Sequence, residues 1–482
     1  MREEALIPLL VAGAWVHGER PLVVRSPYDG RVVGTTSYAT PEQVERAVRA
    51  AVDVAAEAAA LPVHARADAL SRISAGIAAR AGGLSATITA ESGKPLAWAR
   101  AEVGRAVSVF RWAAEETRTW SGEVMRLDTE PAAEGRIAYV RRVPKGPVLA
   151  ISPFNFPLNL VAHKVAPALA VGAPVLLKPA PKTPLSALLL AEIVAETDLP
   201  AGMLGVVLVE NDRAAGLVAD PRLPVVSFTG SGPVGHAIQD AVPRKHVVLE
   251  LGGNAAAVVC ADYADERDLD WAATRIAAFG TYQAGQSCIS VQRVYADTTV
   301  YDDLRDRVVK AVGALRTGDP ADPATHVGPM IDEAAARRVE SWVQEAVAAG
   351  ARLLAGGTRD GATYAPTVLE DVPADAKVMC EEVFGPVLAL QRVSGTDEAF
   401  GLVNASRYGL QAGVFTHDLR TAFRAHRELE VGGVVVGDVP SYRADQMPYG
   451  GAKDSGVGRE GVGYTMADLT YERVMVLTGL DL

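Results

Sequence analysis

The sequence predicts an α/β protein with two doubly wound parallel-sheet domains and a small β arm. Three observations carry that reading. From Val148 onward, short apolar runs alternate with amphipathic segments, the pattern of strands covered on both faces. A second alternating series runs from Ala256 to about Val436, with no low-complexity linker or internal repeat between the two. Residues 136–143 differ, alternating with period two like an antiparallel strand with one wet face.

In chain order, residues 5–16 read as a first strand. Ala12-Gly13-Ala14 mimics a signal-peptidase site, but the leader Arg2-Glu3-Glu4 carries excess negative charge and Pro8 interrupts the run. Thr40-Pro41-Glu42-Gln43 has capping-box spacing with Pro at the first helical position, so an Ala-rich helix follows to about Ala60. Two more helices are expected over 64–81 and 96–120. Buried strands follow at 148–151, 175–177, 206–209, 225–228 and 247–249, with a helix over 185–196 among them. The segment 122–144 and the tail strand 470–477 are too small to stand alone, so they are expected to pair with each other or with another subunit.

Composition narrows the function. Of 482 residues, 49% are hydrophobic and 22% charged, which is ordinary globular usage. The net charge of −11, with no Lys/Arg-rich run against it, argues against nucleic-acid and membrane-surface partners. No apolar run approaches the length of a transmembrane helix. Three scattered cysteines, Cys260, Cys288 and Cys380, make no disulfide framework and point to a reducing, cytoplasmic compartment. The eight histidines form no His-x-x-x-His pair and no Cys-x-x-Cys occurs, so no metal site is expected.

Several residues could carry chemistry. Cys288 lies in Gly285-Gln286-Ser287-Cys288-Ile289, a connection between a helix ending near Tyr282 and a strand expected over 289–295. A lone cysteine often packs as a small hydrophobe, which suits Cys260 at the end of an apolar strand. Cys380 precedes two acids that would blunt it. Glu250 ends an apolar strand before Leu251-Gly252-Gly253-Asn254, at the sheet edge where α/β folds bind ligands. Partial burial there would lift its pKa toward that of a general base, although a loop or capping glutamate would also fit. Gly230-Ser231-Gly232-Pro233-Val234-Gly235 satisfies G-x-G-x-x-G, but Glu250 is fifteen residues past Gly235, short of the usual offset for a ribose-binding acid. Asn155 is held between Pro153 and Pro157, Lys178 ends a strand, and Glu381-Glu382-Val383-Phe384 offers an acid and a ring. Each has a bland counterpart: a turn asparagine, a solvated lysine, a surface acidic pair.

Together these segments resemble the aldehyde dehydrogenase superfamily over essentially the full chain. The motifs are Pro153-Phe154-Asn155-Phe156-Pro157, Lys178-Pro179-Ala180, Phe228-Thr229-Gly230-Ser231, Glu250-Leu251-Gly252-Gly253-Asn254, Gly285-Gln286-Ser287-Cys288, Glu382-Val383-Phe384-Gly385-Pro386 and Pro448-Tyr449-Gly450-Gly451-Ala452-Lys453-Asp454-Ser455-Gly456. The resemblance implies NAD(P)-dependent oxidation of an aldehyde to a carboxylic acid. It makes Cys288 the nucleophile, Glu250 the general base and Asn155 an oxyanion-hole donor. Lys178 and Glu382 would address the two riboses, Gly230 and Ser231 the pyrophosphate, and Phe384, Pro153 and Phe154 the nicotinamide end. It further implies a dinucleotide-binding domain over 1–121 and 145–249, a catalytic domain over 250–466, an oligomerisation arm from 122–144 and 467–482, and a homodimer or homotetramer.

One departure bears on the cofactor. Many NAD-preferring relatives carry a glutamate three residues after this lysine; here Pro181 stands there, followed by Lys182. Without that carboxylate a 2′-phosphate is not repelled, so both cofactors are expected, with NADP favoured. Arg105 and Arg443 fall on the helix and loop that border the substrate tunnel in this family, and two guanidinium groups suit an aldehyde with a distant anionic group. Phe156 would line an apolar wall. Relatives that pass the acyl group to coenzyme A generally lack the glutamate, so Glu250 disfavours an acyl-donor reductase. The intact trio disfavours a non-catalytic nicotinamide-binding protein.

Overall fold

A computed structural model describes residues 6–479; the ends of the expected first domain and arm, 1–5 and 480–482, lie outside the described residues. The first sheet has eight strands in the order Ala14–Val16, Leu9–Val11, Leu204–Val206, Val175–Lys178, Val148–Ile151, Val225–Thr229, His246–Glu250, Gly456–Val457. The five from Leu204–Val206 to His246–Glu250 are parallel, and their burial on both faces explains their unbroken apolar runs. The single strand expected at the start is a hairpin, Leu9–Val11 with Ala14–Val16, turning on Ala12 and Gly13, both at positive φ. Ala12 hides that turn, because positive φ is usually signalled by Gly or Asn.

The second sheet runs Arg352–Ala355, Thr367–Glu370, Val387–Val393, Arg293–Asp297, Ala256–Val259, Gln411–Phe415, Gly433–Val436, all parallel except the first. Its strand after Cys288 begins at Arg293 rather than Ile289. A third sheet places Arg136–Pro144 between Glu123–Arg126 and Thr470–Thr478, so hairpin and tail pair within one chain.

The first helix spans Pro41–Ala60, and Thr40 and Gln43 make both halves of the capping box, at 3.2 and 2.9 Å. Helices Val63–Ala79 and Leu96–Thr119 follow, with Ala81–Ser92 between them as a helix the sequence hides. Two glycines and several β-branched residues make it a poor helix former, and the burial of every residue from Leu84 to Ser92 except Ala86 stabilises it instead. No helix among the described residues is long and apolar enough to cross a membrane.

The last part of the range 250–466 returns to the first sheet. Gly456–Val457 pairs antiparallel with His246–Glu250, and helix Val462–Asp468 packs on Asn159–Val171 and Leu96–Thr119. Separated segments thereby converge on the carboxyl edge of the first sheet.

Candidate active site

Four parallel strands end side by side at that edge. Ile151 is in register with Lys178 and Phe228, and Thr229 with Glu250. The turns that follow carry Pro153, Phe154 and Asn155, then Gly230 and Ser231. Backbone order alone therefore gathers seven of the expected site residues into one crevice.

Cys288 approaches from the other unit on a strained connection. Gln283, Ala284 and Gly285 are consecutively left-handed, with φ of 51°, 52° and 69°. For the two non-glycine residues that costs about 1–2 kcal/mol each. The conformation is held from all sides. The Gln283 amide donates to the Asn155 carbonyl, Gln286 Nε2 donates to the Gln283 carbonyl at 3.1 Å, and Gln286 Oε1 accepts from Ile331 N–H at 2.9 Å. A side chain on Gly285 would collide with the Gly385 carbonyl.

The Cys288 sulfur lies 3.0 Å from the Tyr449 hydroxyl, in an apolar cluster with Ile289 and Leu410. Burial pushes the thiol up to about 12; Tyr449 and Arg443 oppose that, while Glu382 and Glu250 add to it. Asn155 Nδ2 donates one hydrogen to the Gln286 carbonyl at 3.0 Å, which leaves its second hydrogen and its buried Oδ1 without a partner among the described residues. The Cys288 N–H makes no hydrogen bond to another described residue.

Glu250 is 3% exposed and neither carboxylate oxygen has a partner among the described residues. Burial first, then the charge of Glu460, raises its pKa well above the carboxylate range. Glycines leave room for this arrangement: a Cβ on Gly450 would meet Glu250 Oε1 at 3.1 Å, and one on Gly252 would strike the Glu382 carboxylate.

The cofactor candidates line the same crevice. Lys178 is buried, reaches Asn211 Oδ1 at 3.2 Å, and burial lowers it to about 8. Ser231 caps Gly232–Ala241 through its backbone only, leaving the helix's first N–H groups open. Glu382 accepts from Gly253 N–H at 3.1 Å, with burial raising it to about 7. Phe384 and Phe154 meet edge to face at 5.9 Å. An open helix N-terminus, a buried lysine, an orphaned buried Thr229 hydroxyl and paired aromatic rings fit a dinucleotide.

The two arginines are present but not free. Arg105 donates to Asp445 at 3.0 and 3.2 Å, and Arg443 pairs with Glu460 at 3.0 Å in a fully buried position. Sequence reading looked for open guanidiniums and missed their partners, because Asp445 and Glu460 lie in a segment whose return to the first sheet leaves no local signature. Arg443 also stacks at 3.9 Å over the Tyr449 ring. Glu460 is shared with Lys164 Nζ at 3.4 Å; burial pushes this carboxyl up, but the two cations outweigh it and hold it low. Phe156 faces Lys94 at 3.8 Å and neighbours Tyr282.

The family model described as the aldehyde dehydrogenase family matches residues 15–475. The chain belongs to that family. This aldehyde dehydrogenase is an oxidoreductase that oxidises aldehydes with NAD or NADP. It is 41% identical over 470 residues to a 3-sulfolactaldehyde dehydrogenase of Priestia aryabhattai, covering 97% of each chain. Among solved structures it is similar to aldehyde dehydrogenase 21 of Physcomitrella patens in complex with the reaction product succinate, at TM-score 0.96 and 44% identity over 98% of each chain. It is also similar to an NADP-dependent glyceraldehyde-3-phosphate dehydrogenase of Bacillus halodurans C-125 complexed with NADP, at TM-score 0.95 and 34% identity, covering 98% of this chain and 100% of that one.

Proposed function

We propose that this aldehyde dehydrogenase oxidises an aldehyde whose far end carries a carboxylate, sulfonate or phosphate, through a covalent intermediate on Cys288. The observation that carries the anionic preference is the Arg443 Nε–H, buried without an acceptor among the described residues, on a guanidinium stacked over the tyrosine that touches the sulfur of Cys288. Charge balance supports it. Lys94 pairs with Glu102 and Arg105 with Asp445, whereas Lys164 and Arg443 share Glu460. Around Glu460 two cations face one carboxylate, and an anionic substrate supplies the missing negative charge. The three relatives, named for or bound to sulfonated, carboxylated or phosphorylated molecules, agree with this.

The Cys288 thiolate adds to the carbonyl, and the resulting oxyanion is met by the second Asn155 amide hydrogen and the Cys288 N–H. When bound, the oxidised nicotinamide supplies the two-electron acceptor that turns the thiohemiacetal into a thioester. Glu250, unpartnered and with a raised pKa, takes a proton from the water that cleaves the thioester. Lys178 and Glu382 would hold the riboses, Gly230 and Ser231 the pyrophosphate, and Pro153, Phe154 and Phe384 the ring.

Pro181 in place of a carboxylate, with Lys182 beside it, favours NADP; Lys182 is mostly exposed and paired loosely with Asp332 at 3.3 Å. The Arg136–Pro144 sheet, which exposes Val124, Met125, Tyr139, Val474 and Met475, supports a homodimer or homotetramer built through this arm.

The test is reduced-nicotinamide formation on pairs of neutral and ω-anionic aldehydes. We expect Arg443→Ala to lower kcat/KM about 10–100-fold more on the anionic members than on the neutral ones. Equal effects on both would remove the anionic assignment.

A further inference from the structure

Tyr449 stands outside the roles assigned above, although it belongs to the closing motif. Its ring is buried, 4% exposed, and its backbone is clamped against Glu460 by a bridge in which Tyr449 N–H donates to the Glu460 carbonyl and the reverse bond measures 2.6 Å. Its hydroxyl has one hydrogen-bond partner among the described residues, the Cys288 sulfur at 3.0 Å. A phenyl ring would fill the same space beside Ile289 and Leu410, so packing alone gives the hydroxyl no purpose.

We infer that Tyr449 is a catalytic residue: its O–H donates to the Cys288 sulfur and stabilises the thiolate from which attack on the aldehyde begins. This rests on the reading of Cys288 as nucleophile. Nothing else among the described residues accepts its proton, so the O–H points at sulfur. The Arg443 guanidinium, 3.9 Å above the ring, draws on the ring's electrons and makes the phenol a better donor without touching the thiol itself. The other charged or titratable groups facing the sulfur are Glu382, Glu250 and Tyr282, none of which bonds to it. The two carboxyls disfavour a thiolate when ionised, which leaves Tyr449 and Arg443 as the groups that favour it. Tyrosine itself stays protonated, because burial first, and then the neighbouring thiol, hold its pKa well above the ordinary phenol value.

A hydrogen bond to the thiolate has two opposed effects. It raises the fraction of thiolate at neutral pH, and it lowers the reactivity of each thiolate, because nucleophilicity falls with pKa at a Brønsted slope of about 0.4–0.5. Removing it should therefore slow Cys288 at low pH and quicken it at high pH.

The experiment measures the rate of thiopyridone release from 2,2′-dithiodipyridine across pH 6–11, comparing Tyr449 with Tyr449→Phe, both carrying Cys380→Ala to remove the exposed thiol. Phe keeps the ring, the Arg443 stack and the backbone bridge. Burial holds the parental thiol at about 12, so this window lies below its midpoint and below that of Tyr449→Phe, which we expect to be about one to two units higher. For each unit of rise the rate in this window should fall by about threefold, whereas removing an oxygen that only filled space would leave the rate unchanged or raise it. Superimposable profiles, or a faster Tyr449→Phe, would reduce Tyr449 to packing and overturn the inference. Thiol kinetics need no aldehyde, so a slowed profile without turnover on any aldehyde would fail the proposed function and leave this inference standing, while turnover with superimposable profiles would do the reverse.

Discussion

Two regions of this enzyme bury carboxylates in opposite ways. In the helical layer of the first unit, Glu102 accepts from the Leu158 and Asn159 N–H groups at 2.9 and 3.0 Å and pairs with Lys94. Glu91 likewise accepts from Leu185 and Ser186 N–H at 2.8 and 3.0 Å and from the Ser186 hydroxyl. Each side chain satisfies the open N–H groups at the start of a following helix and so ties distant segments together. In the crevice, Glu250 is as deeply buried but has no partner at either oxygen among the described residues. A satisfied buried carboxylate fixes the fold, while an unsatisfied one costs stability and is retained for its chemistry.

That contrast can be broken at either end. The largest effect is expected at Glu250. Glu250→Gln keeps the shape and removes the proposed base, so steady-state oxidation should fall by about 10²–10⁴-fold while the melting temperature holds or rises. A matching loss of stability, read by calorimetry, would class Glu250 with the anchors. Glu102→Ala should do the opposite, stranding Lys94 and two helical N–H groups at a loss of about 3–5 kcal/mol in denaturant unfolding. Folding energy within about 1 kcal/mol of the parent would contradict the anchor role.

A subtler separation comes from pH. Burial foremost raises Glu91 to about 7 in the fold, above its value in the unfolded chain. The native state therefore holds that proton longer, and the associated stability is full below about pH 4.5 and declines as pH rises toward 7. Measured against Glu91→Gln, the parent should lose melting temperature over that window and level off beyond it; parallel curves would argue against it. The smallest effect concerns the cofactor: Lys182→Ala should lower the NADP/NAD ratio of kcat/KM by several-fold, without changing oxidation with NAD. An unchanged ratio would take Lys182 out of the choice.

What the sequence made legible follows the same division. Strands such as Val148–Ile151 and Val225–Thr229 could be read because a parallel sheet covered on both faces demands unbroken apolar runs. Cys288, Glu250 and Asn155 could be singled out as candidates because their motifs are local: a loop, a strand end, a Pro-bounded turn. The partners of Arg105 and Arg443 could not, since Asp445 lies 340 residues from Arg105 and the pairing depends on segment 445–469 rejoining the first sheet. The Tyr449–Cys288 contact spans 161 residues, and tyrosine in an apolar stretch gives no sign that its hydroxyl faces sulfur. Helix Ala81–Ser92 was hidden because burial, not propensity, holds it.

The central claim is that Cys288 carries the acyl group and Glu250 serves its release. It is tested most directly by rapid-mixing of Glu250→Gln with aldehyde and oxidised cofactor, following reduced nicotinamide. The account predicts a burst of about one equivalent per Cys288, followed by near-arrest as the thioester waits for water. Slow linear formation without a burst, from enzyme whose Cys288 still reacts with a disulfide probe at the parental rate, would contradict it.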